Sequence, residues 1–211
     1  MGETGLTSEK ILRAAEDVVR RHGPDKATVV DVARALGVTH GSVYRYFPSK
    51  AALRGAVVRA WLDAMMPPLQ VVVAESGPAP GRLRRWLDLL VAAKRKRAAG
   101  DPELFAAYSA LAVLAGDVVL AHIDEIVGQA TRIIADGASR GEFAAEDPAR
   151  AARSVLIATS RFHHPSHAAE WTEAGIDADL DGVWQLLMSG LGARGSAGAS
   201  NDPDKQSNQG L

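Results

Sequence analysis

The chain has 211 residues, 47% hydrophobic and 23% charged, ordinary proportions for a globular protein with a sizeable core. It holds no cysteine, which excludes disulfides, thiolate metal sites and cysteine nucleophiles and fits a reducing, cytoplasmic setting. Net charge is −1, yet residues 1–60 carry 10 Lys and Arg against 6 Asp and Glu while the remainder carries 14 against 19, so a polyanion would meet only the amino-terminal part. No apolar run approaches the roughly 18–20 residues of a membrane span. Charged side chains scattered from Glu3 to Arg21 are unlike a signal peptide, so no membrane partner is expected.

Apolar residues recur at helical spacing almost throughout, without sustained alternation, and the expected fold class is all-α. A first helix spans about Ser8 to Arg21, with Ile11, Leu12, Ala15, Val18 and Val19 on one face and Gly23-Pro24 as its stop. A second runs from Val29 to Leu36. Thr28 is its N-cap and Asp31 sits at capping-box spacing. Gly37 ends it, Thr39 caps a third helix to Phe47, and Ser49 caps a fourth carrying Leu53, Val57, Val58, Trp61, Leu62 and Met65 until Pro67-Pro68 ends or kinks it. Gly77-Pro78-Ala79-Pro80-Gly81 reads as a linker. Further helices are expected from Leu83 to Arg97, after Asp101-Pro102, from Gly116-Asp117 to before Gly141, from Asp147-Pro148 through Phe162, and from Ala178 to Leu191. The expected organisation is an amino-terminal domain at 1–48, a connecting helix at 49–76, a larger helical domain at 77–193 and a disordered tail at 194–211.

The segment from 28 to 53 carries the functional signal. Two short helices joined by Gly37-Val38 form a helix-turn-helix, whose second helix enters the major groove of DNA. Thr39, His40, Gly41 and Ser42 form the first turn of that helix, where unpaired N–H groups attract phosphate. Gly41 lets the backbone come close to the duplex. Tyr44, Arg45 and Tyr46 present tips that reach phosphate or base edges, and Arg is the usual reader of guanine. Val43 and Phe47 are core. Tyr44 packed on the first helix, and His40 merely solvated, are the plain alternatives.

The pattern Thr28-x3-Val32-Ala33-x2-Leu36-Gly37-Val38-Thr39-x-Gly41-x2-Tyr44-x2-Phe47-x2-Lys50-x2-Leu53 closely resembles the DNA-binding domain of TetR/AcrR-type transcriptional regulators, over about residues 8–62. Tyr44-Arg45-Tyr46-Phe47-Pro48-Ser49-Lys50 is its most specific part. The resemblance implies phosphate contacts by Thr28, Thr39, Tyr44 and Lys50, and groove contacts by His40, Ser42, Arg45 and Tyr46. Leu36 stands where a smaller residue is common and Tyr46 where His is frequent.

The same resemblance implies a carboxyl-terminal receptor and dimerisation domain. Candidate effector-binding residues are Trp61, Met65, Trp86, Phe105, Tyr108, His122, Ile126, Phe162 and Trp171, with Arg161 for an acidic effector or simply paired with an acid. Aromatics at helical spacing are equally the stuff of plain core. Val155, Val183, Trp184 and Leu187 are the dimerisation candidates, on the two helices that would form a four-helix contact between subunits. His163 and His167 have ligand spacing, but Pro165 interrupts them, so no metal and no cofactor is expected. No catalytic motif is present, and His122 with Asp124-Glu125 reads as surface or structure rather than a catalytic set. The expected function is a homodimeric repressor released from double-stranded operator DNA by a small molecule. An activator of the same fold, or a small-molecule-binding protein or enzyme, is the alternative.

Overall fold

The computed structural model describes residues 5–24 and 28–192, and the expected tail lies outside them. Regular structure among the described residues is helical. It runs α1 (Ser8–His22), α2 (Val29–Leu36), α3 (His40–Tyr44), α4 (Lys50–Asp63), α5 (Met66–Ala74), α6 (Ala79–Gly100), α7 (Pro102–Val113), α8 (Gly116–Ser139), α9 (Pro148–Ala158) and α10 (Ile176–Gly190), with 3-10 turns at Ser160–Phe162 and Pro165–Thr172 before α10.

Capping residues set most of these boundaries. The side chains of Thr7, Thr28, Thr39, Ser49, Asp101 and Asp147 each accept a backbone N–H in the first turn of the following helix. Such caps contribute about 1 kcal/mol apiece. Thr28 and Asp31 close the box in both directions, since the Thr28 hydroxyl also donates to Asp31 Oδ2 at 2.5 Å. Gly37 ends α2 at φ 67° and ψ 28°, a left-handed conformation that a side chain would strain. Its neighbour Val38 N–H closes back on Ala33 O at 3.0 Å.

Four expected boundaries move. The third helix stops at Tyr44, and a turn in which Tyr46 and Phe47 N–H both reach Val43 O completes it. The fourth stops at Asp63, before the prolines. Pro67 and Pro68 instead fall in the first turn of α5, where a missing N–H loses no helical bond, and the axis bends by 49° across the break. The linker prolines likewise lie at the start of α6, whose first N–H, from Ala79, is capped at 2.6 Å by the distant Glu142 carboxylate. The helix opened by Pro148 ends at Ala158 and gives way to 3-10 turns.

One apolar cluster runs from α1 to α10. Val32, Ala33, Val43 and Phe47 close the amino-terminal unit as the spacing predicts. In the body, α8 lies at the centre, against α4, α5, α6, α7 and α9. Two polar clamps fix α6 to it. Trp86 Nε1 donates to Gln129 Oε1 at 2.9 Å between fully buried side chains, and buried Arg82 pairs with Asp136 while donating to Val73 O at 2.9 Å. No single helix among the described residues is long and apolar enough to cross a membrane.

Two glycines of α8 have opposite surroundings. A Cβ on Gly137 would lie 2.5 Å from Phe143 Cδ2 and 2.6 Å from Ala79 Cβ, and the latter is fixed to the α6 backbone. A Cβ on Gly128 would meet nothing within 4 Å. Overpacking costs about 1–3 kcal/mol, whereas Gly to Ala inside a helix gains up to about 1 kcal/mol. We expect Gly137→Ala to lower, and Gly128→Ala to raise, the midpoint of urea unfolding; the same sign for both would contradict this packing.

Candidate functional site

The amino-terminal unit presents one polar edge. Thr39, His40, Gly41, Tyr44, Arg45, Tyr46 and Lys50 are exposed along α3 and the start of α4, and Ser42 is half-buried. Arg45 and Lys50 have no ion-pair partner among the described residues. Tyr44 is 42% exposed with its ring edge-on to His40 at 6.4 Å, so it is not packed away on α1. Gly41 is open on its outer side, where an added Cβ would touch only Thr39 Oγ1 at 3.9 Å.

Four of the expected contact residues are held by other bonds. The Thr28 hydroxyl hydrogen goes to Asp31, leaving that group without a free donor. Thr39 and Ser42 hydroxyls lie 2.9 Å apart within the α3 cap. The Tyr46 hydroxyl donates to the carbonyl of Leu6, so its tip tethers the segment ahead of α1 rather than standing free. Sequence spacing could not reveal that contact, because it joins residues 40 positions apart.

The second feature is a cavity of about 860 Å³, open on one side, bordered by α4, α6, α7, α8, α9 and the 3-10 segment. That volume is in the range of sites for small molecules. Trp61, His122 and Ile126 of the expected set line it. Met65 and Phe105 line a second hollow, of about 600 Å³, on the opposite side of Trp61. The remaining candidates serve the core. Trp86 is clamped to Gln129, and Phe162 is 2% exposed. Tyr108 stacks on Trp61 with centroids 4.8 Å apart, and Trp171 packs on Phe105 and donates to Arg161 O at 2.9 Å. Arg161 is met by three carboxylates, Glu170 and Asp179 at 2.7 Å each and Glu173 at 3.5 Å, so its charge is already balanced within the chain, and it does not line the cavity.

The sequence reading missed Lys94. Grouped with Arg95, Lys96 and Arg97 at the carboxyl end of its expected helix, it reads as a cation suited to the helix dipole. The structure turns it inward, 6% exposed, onto the large cavity. Burial, reinforced by the charge of Arg97, pushes its ammonium down to about 8. Its neighbours diverge. Arg95 reaches Asp177 at 2.6 Å, while Arg97 donates to Trp61 O and lies over the Trp61 ring at 4.9 Å. His122, expected to be surface or structural, is 7% exposed with both ring nitrogens buried and unpartnered. Of the histidine cluster, His163 and His164 line the cavity, whereas His167 turns to Glu170 at 2.6 Å. Pro165 opens a 3-10 turn between them, and among the described residues no three or more His, Cys, Asp or Glu converge on one point.

The dimerisation candidates divide similarly. Val155 and Trp184 are buried within the protomer, the latter under the Arg84 guanidinium at 5.6 Å. Val183 and Leu187 are half-buried. The outward apolar side chains on α9 and α10 are Ile157 and Leu186, 69% and 75% exposed.

A helix-turn-helix head joined through one shared helix to a hollow helical body defines the architecture of a DNA-binding regulator with a receptor domain. The model of bacterial regulatory proteins of the tetR family matches residues 11–57, and that of the tetracyclin repressor-like carboxyl-terminal domain matches residues 79–184. The chain belongs to the TetR family of transcriptional regulators. It is 45% identical over 55 residues to the uncharacterized HTH-type regulator YvdT of Bacillus subtilis, covering 26% of this chain and 28% of that one. It is 25% identical over 131 residues to an uncharacterized HTH-type regulator of Mycobacterium bovis, covering 62% of each. These matches thus span less than two thirds of the relatives' own lengths. Among solved structures, SmeT, the repressor of the Stenotrophomonas maltophilia multidrug efflux pump SmeDEF, superposes with a TM-score of 0.65 at 18% identity over 90% of this chain and 92% of that one. FadR from Bacillus subtilis in complex with stearoyl-CoA gives 0.60 at 19% identity over 88% and 100%. The matched relatives are regulators rather than enzymes.

The buried histidines give stability a pH signature. Burial, with the Lys94 charge adding, pushes both His122 and His163 down to about 4. Their folded-state pKa lies below the unfolded value near 6.5, so the unfolded chain takes up protons first as pH falls. Their stabilisation is complete above about pH 6.5 and drains as pH drops toward 4. We expect unfolding free energy to fall by up to about 1 kcal/mol per pH unit for each histidine between pH 6.5 and 5. His122→Leu should flatten that slope in urea titrations, and an unchanged slope would show that His122 does not titrate in this way.

Proposed function

We propose that this protein is a ligand-responsive, DNA-binding transcriptional repressor that acts as a homodimer and leaves its double-stranded operator when a small molecule fills the cavity beside Trp61. The observation that carries this reading is the course of α4. At its amino-terminal end it carries exposed Lys50; three turns on it carries Trp61, which borders both hollows. A change in the cavity therefore acts on the helix from which the DNA-facing edge hangs.

Further contacts join the two domains. Arg20 of α1 pairs with Asp101 at the start of α7 at 2.8 Å. Gly55 of α4 lies against Val118 of α8, where a Cβ would sit at 3.4 Å. The head cannot tilt without disturbing these. A ligand that binds the two tilts unequally, by about 1–3 kcal/mol, would change operator affinity roughly 5–150-fold. Paired heads would need to sit one DNA turn apart, about 34–36 Å. The outward faces of α9 and α10, with Ile157 and Leu186, are the surface we assign to the subunit contact. Proteins of similar fold agree in kind: SmeT is a repressor and FadR is solved with stearoyl-CoA.

Within the head, we assign Lys50, Tyr44 and the α3 cap residues Thr39 and Ser42 to phosphate, and Arg45, with His40 beside it, to base edges. Gly41 provides the close approach, and Tyr46 and Thr28 support the unit from behind. Gel shifts against fragmented genomic DNA of the host are the test of function. Retention of selected fragments that vanishes at high salt is expected, and indifference to all fragments would overturn the proposal. Lys50→Ala should weaken selected and random DNA alike and reduce the salt slope by about one unit. Arg45→Ala should relax preference at one base position; a sequence profile identical to wild type would confine Arg45 to the backbone.

A further inference from the structure

The cavity is built around a charge that none of the described residues balances. Lys94 lines it, is 6% exposed, and has no hydrogen bond or ion pair among the described residues. The groups facing it are cationic or neutral. Arg97 follows one turn on along α6, His122 comes from α8, and His163 and His164 come from the segment after α9. Arg153 at the edge is engaged by Asp124 at 3.6 Å. Among the described residues no carboxylate lines the cavity. His122 adds two further buried nitrogens without partners. Burying an ammonium without a counter-charge is costly, and so is leaving imidazole nitrogens unbonded in an apolar surround. The rest of the wall is mainly apolar, interrupted by Ser109, Ser160 and Ser166, and its open side is rimmed by exposed Val113 and Leu120, with Ile157 at the edge next to the surface assigned to the subunit contact.

We infer that the ligand of this cavity is an amphiphilic monoanion, a carboxylic acid with a single apolar chain, whose carboxylate pairs with Lys94 and accepts a hydrogen bond from His122 while its chain lies along Ile126 toward the open side. A monoanion fits because the inner wall offers one ammonium and neutral imidazoles, with no free guanidinium fork. A dianionic phosphate would bring a second charge that no group there meets. The inference rests on the reading of the cavity as the effector site and narrows it to a chemical class. It also supplies a route to α4. Lys94 and Arg97 share a face of α6 and repel each other, and Arg97 holds Trp61 by its ring and its carbonyl. Neutralising Lys94 removes a push on the residue that grips α4.

The test compares dodecanoate with dodecan-1-ol, which has the same chain without the charge. Binding to the full-length protein is followed by tryptophan fluorescence below the micellar range. Wild type should bind dodecanoate at least tenfold more tightly than dodecan-1-ol. Lys94→Met should erase that preference while leaving dodecan-1-ol affinity within about threefold and thermal stability no lower than wild type, since the substitution removes an unpaired buried charge. Equal affinities in wild type, preference retained in Lys94→Met, or no binding of dodecanoate would each overturn the inference; the wild-type comparison stands even if the variant fails to fold. Operator release is measured in parallel by gel shift. Selective dodecanoate binding that leaves the DNA complex intact would uphold the carboxylate assignment and defeat the repressor reading instead.

Discussion

Everything else in the molecule depends on α4 being one rigid rod packed into two units at once. Its buried residues Leu53, Val57, Val58 and Leu62 are part of a single apolar cluster that includes α1 on one side and α8 on the other. Cores pack at crystal-like density, so a rod held this way shifts between discrete arrangements rather than bending smoothly. Gly55 makes the arrangement possible by letting α4 come within contact of Val118. Trp61 makes it informative, because its ring stacks on Tyr108 and lies under the Arg97 guanidinium, which also donates to the Trp61 backbone carbonyl.

The electrostatics of the two domains follow opposite rules. On the amino-terminal edge, Arg45 and Lys50 are exposed and have no ion-pair partner among the described residues, where water solvates them at little cost and a polyanion can displace that water. In the body, cations are generally tied down. Arg82, Arg84, Arg95 and Arg161 each hold at least one carboxylate, at positions that join α6 to α8 or α10 and the 3-10 segment to α10. Against that background Lys94 is the exception, a buried cation that lines the cavity and meets no acid among the described residues.

The carboxyl-terminal end of α6 shows why one stretch of sequence can carry several roles. Lys94, Arg95, Lys96 and Arg97 are consecutive, so on a helix they point about 100° apart. One enters the cavity, one bridges to α10, one stays in water and one grips Trp61. A run of four cations is therefore not one basic patch but four separate surroundings. The helix-dipole benefit that the run suggests applies only to Arg97, since α6 continues to Gly100.

The amino-terminal unit was legible from the chain because its determinants are local. Caps at Thr28, Thr39 and Ser49, the left-handed Gly37 and the period of Val32, Ala33, Val43 and Phe47 act over three or four residues, and the TetR-type pattern is fixed in register by them. Class, helical content and most helix starts followed from such short-range rules. What the chain alone left open was decided by contacts between residues far apart in sequence: Tyr46 held by Leu6, Arg161 surrounded by three acids, Val155 and Trp184 drawn into the protomer, and Lys94 turned toward His122. Apolar periodicity reports that a face is buried, but not whether it meets another helix or a hollow. Only the packing of six elements around one void separates the aromatic that fills the core from the one that lines a site.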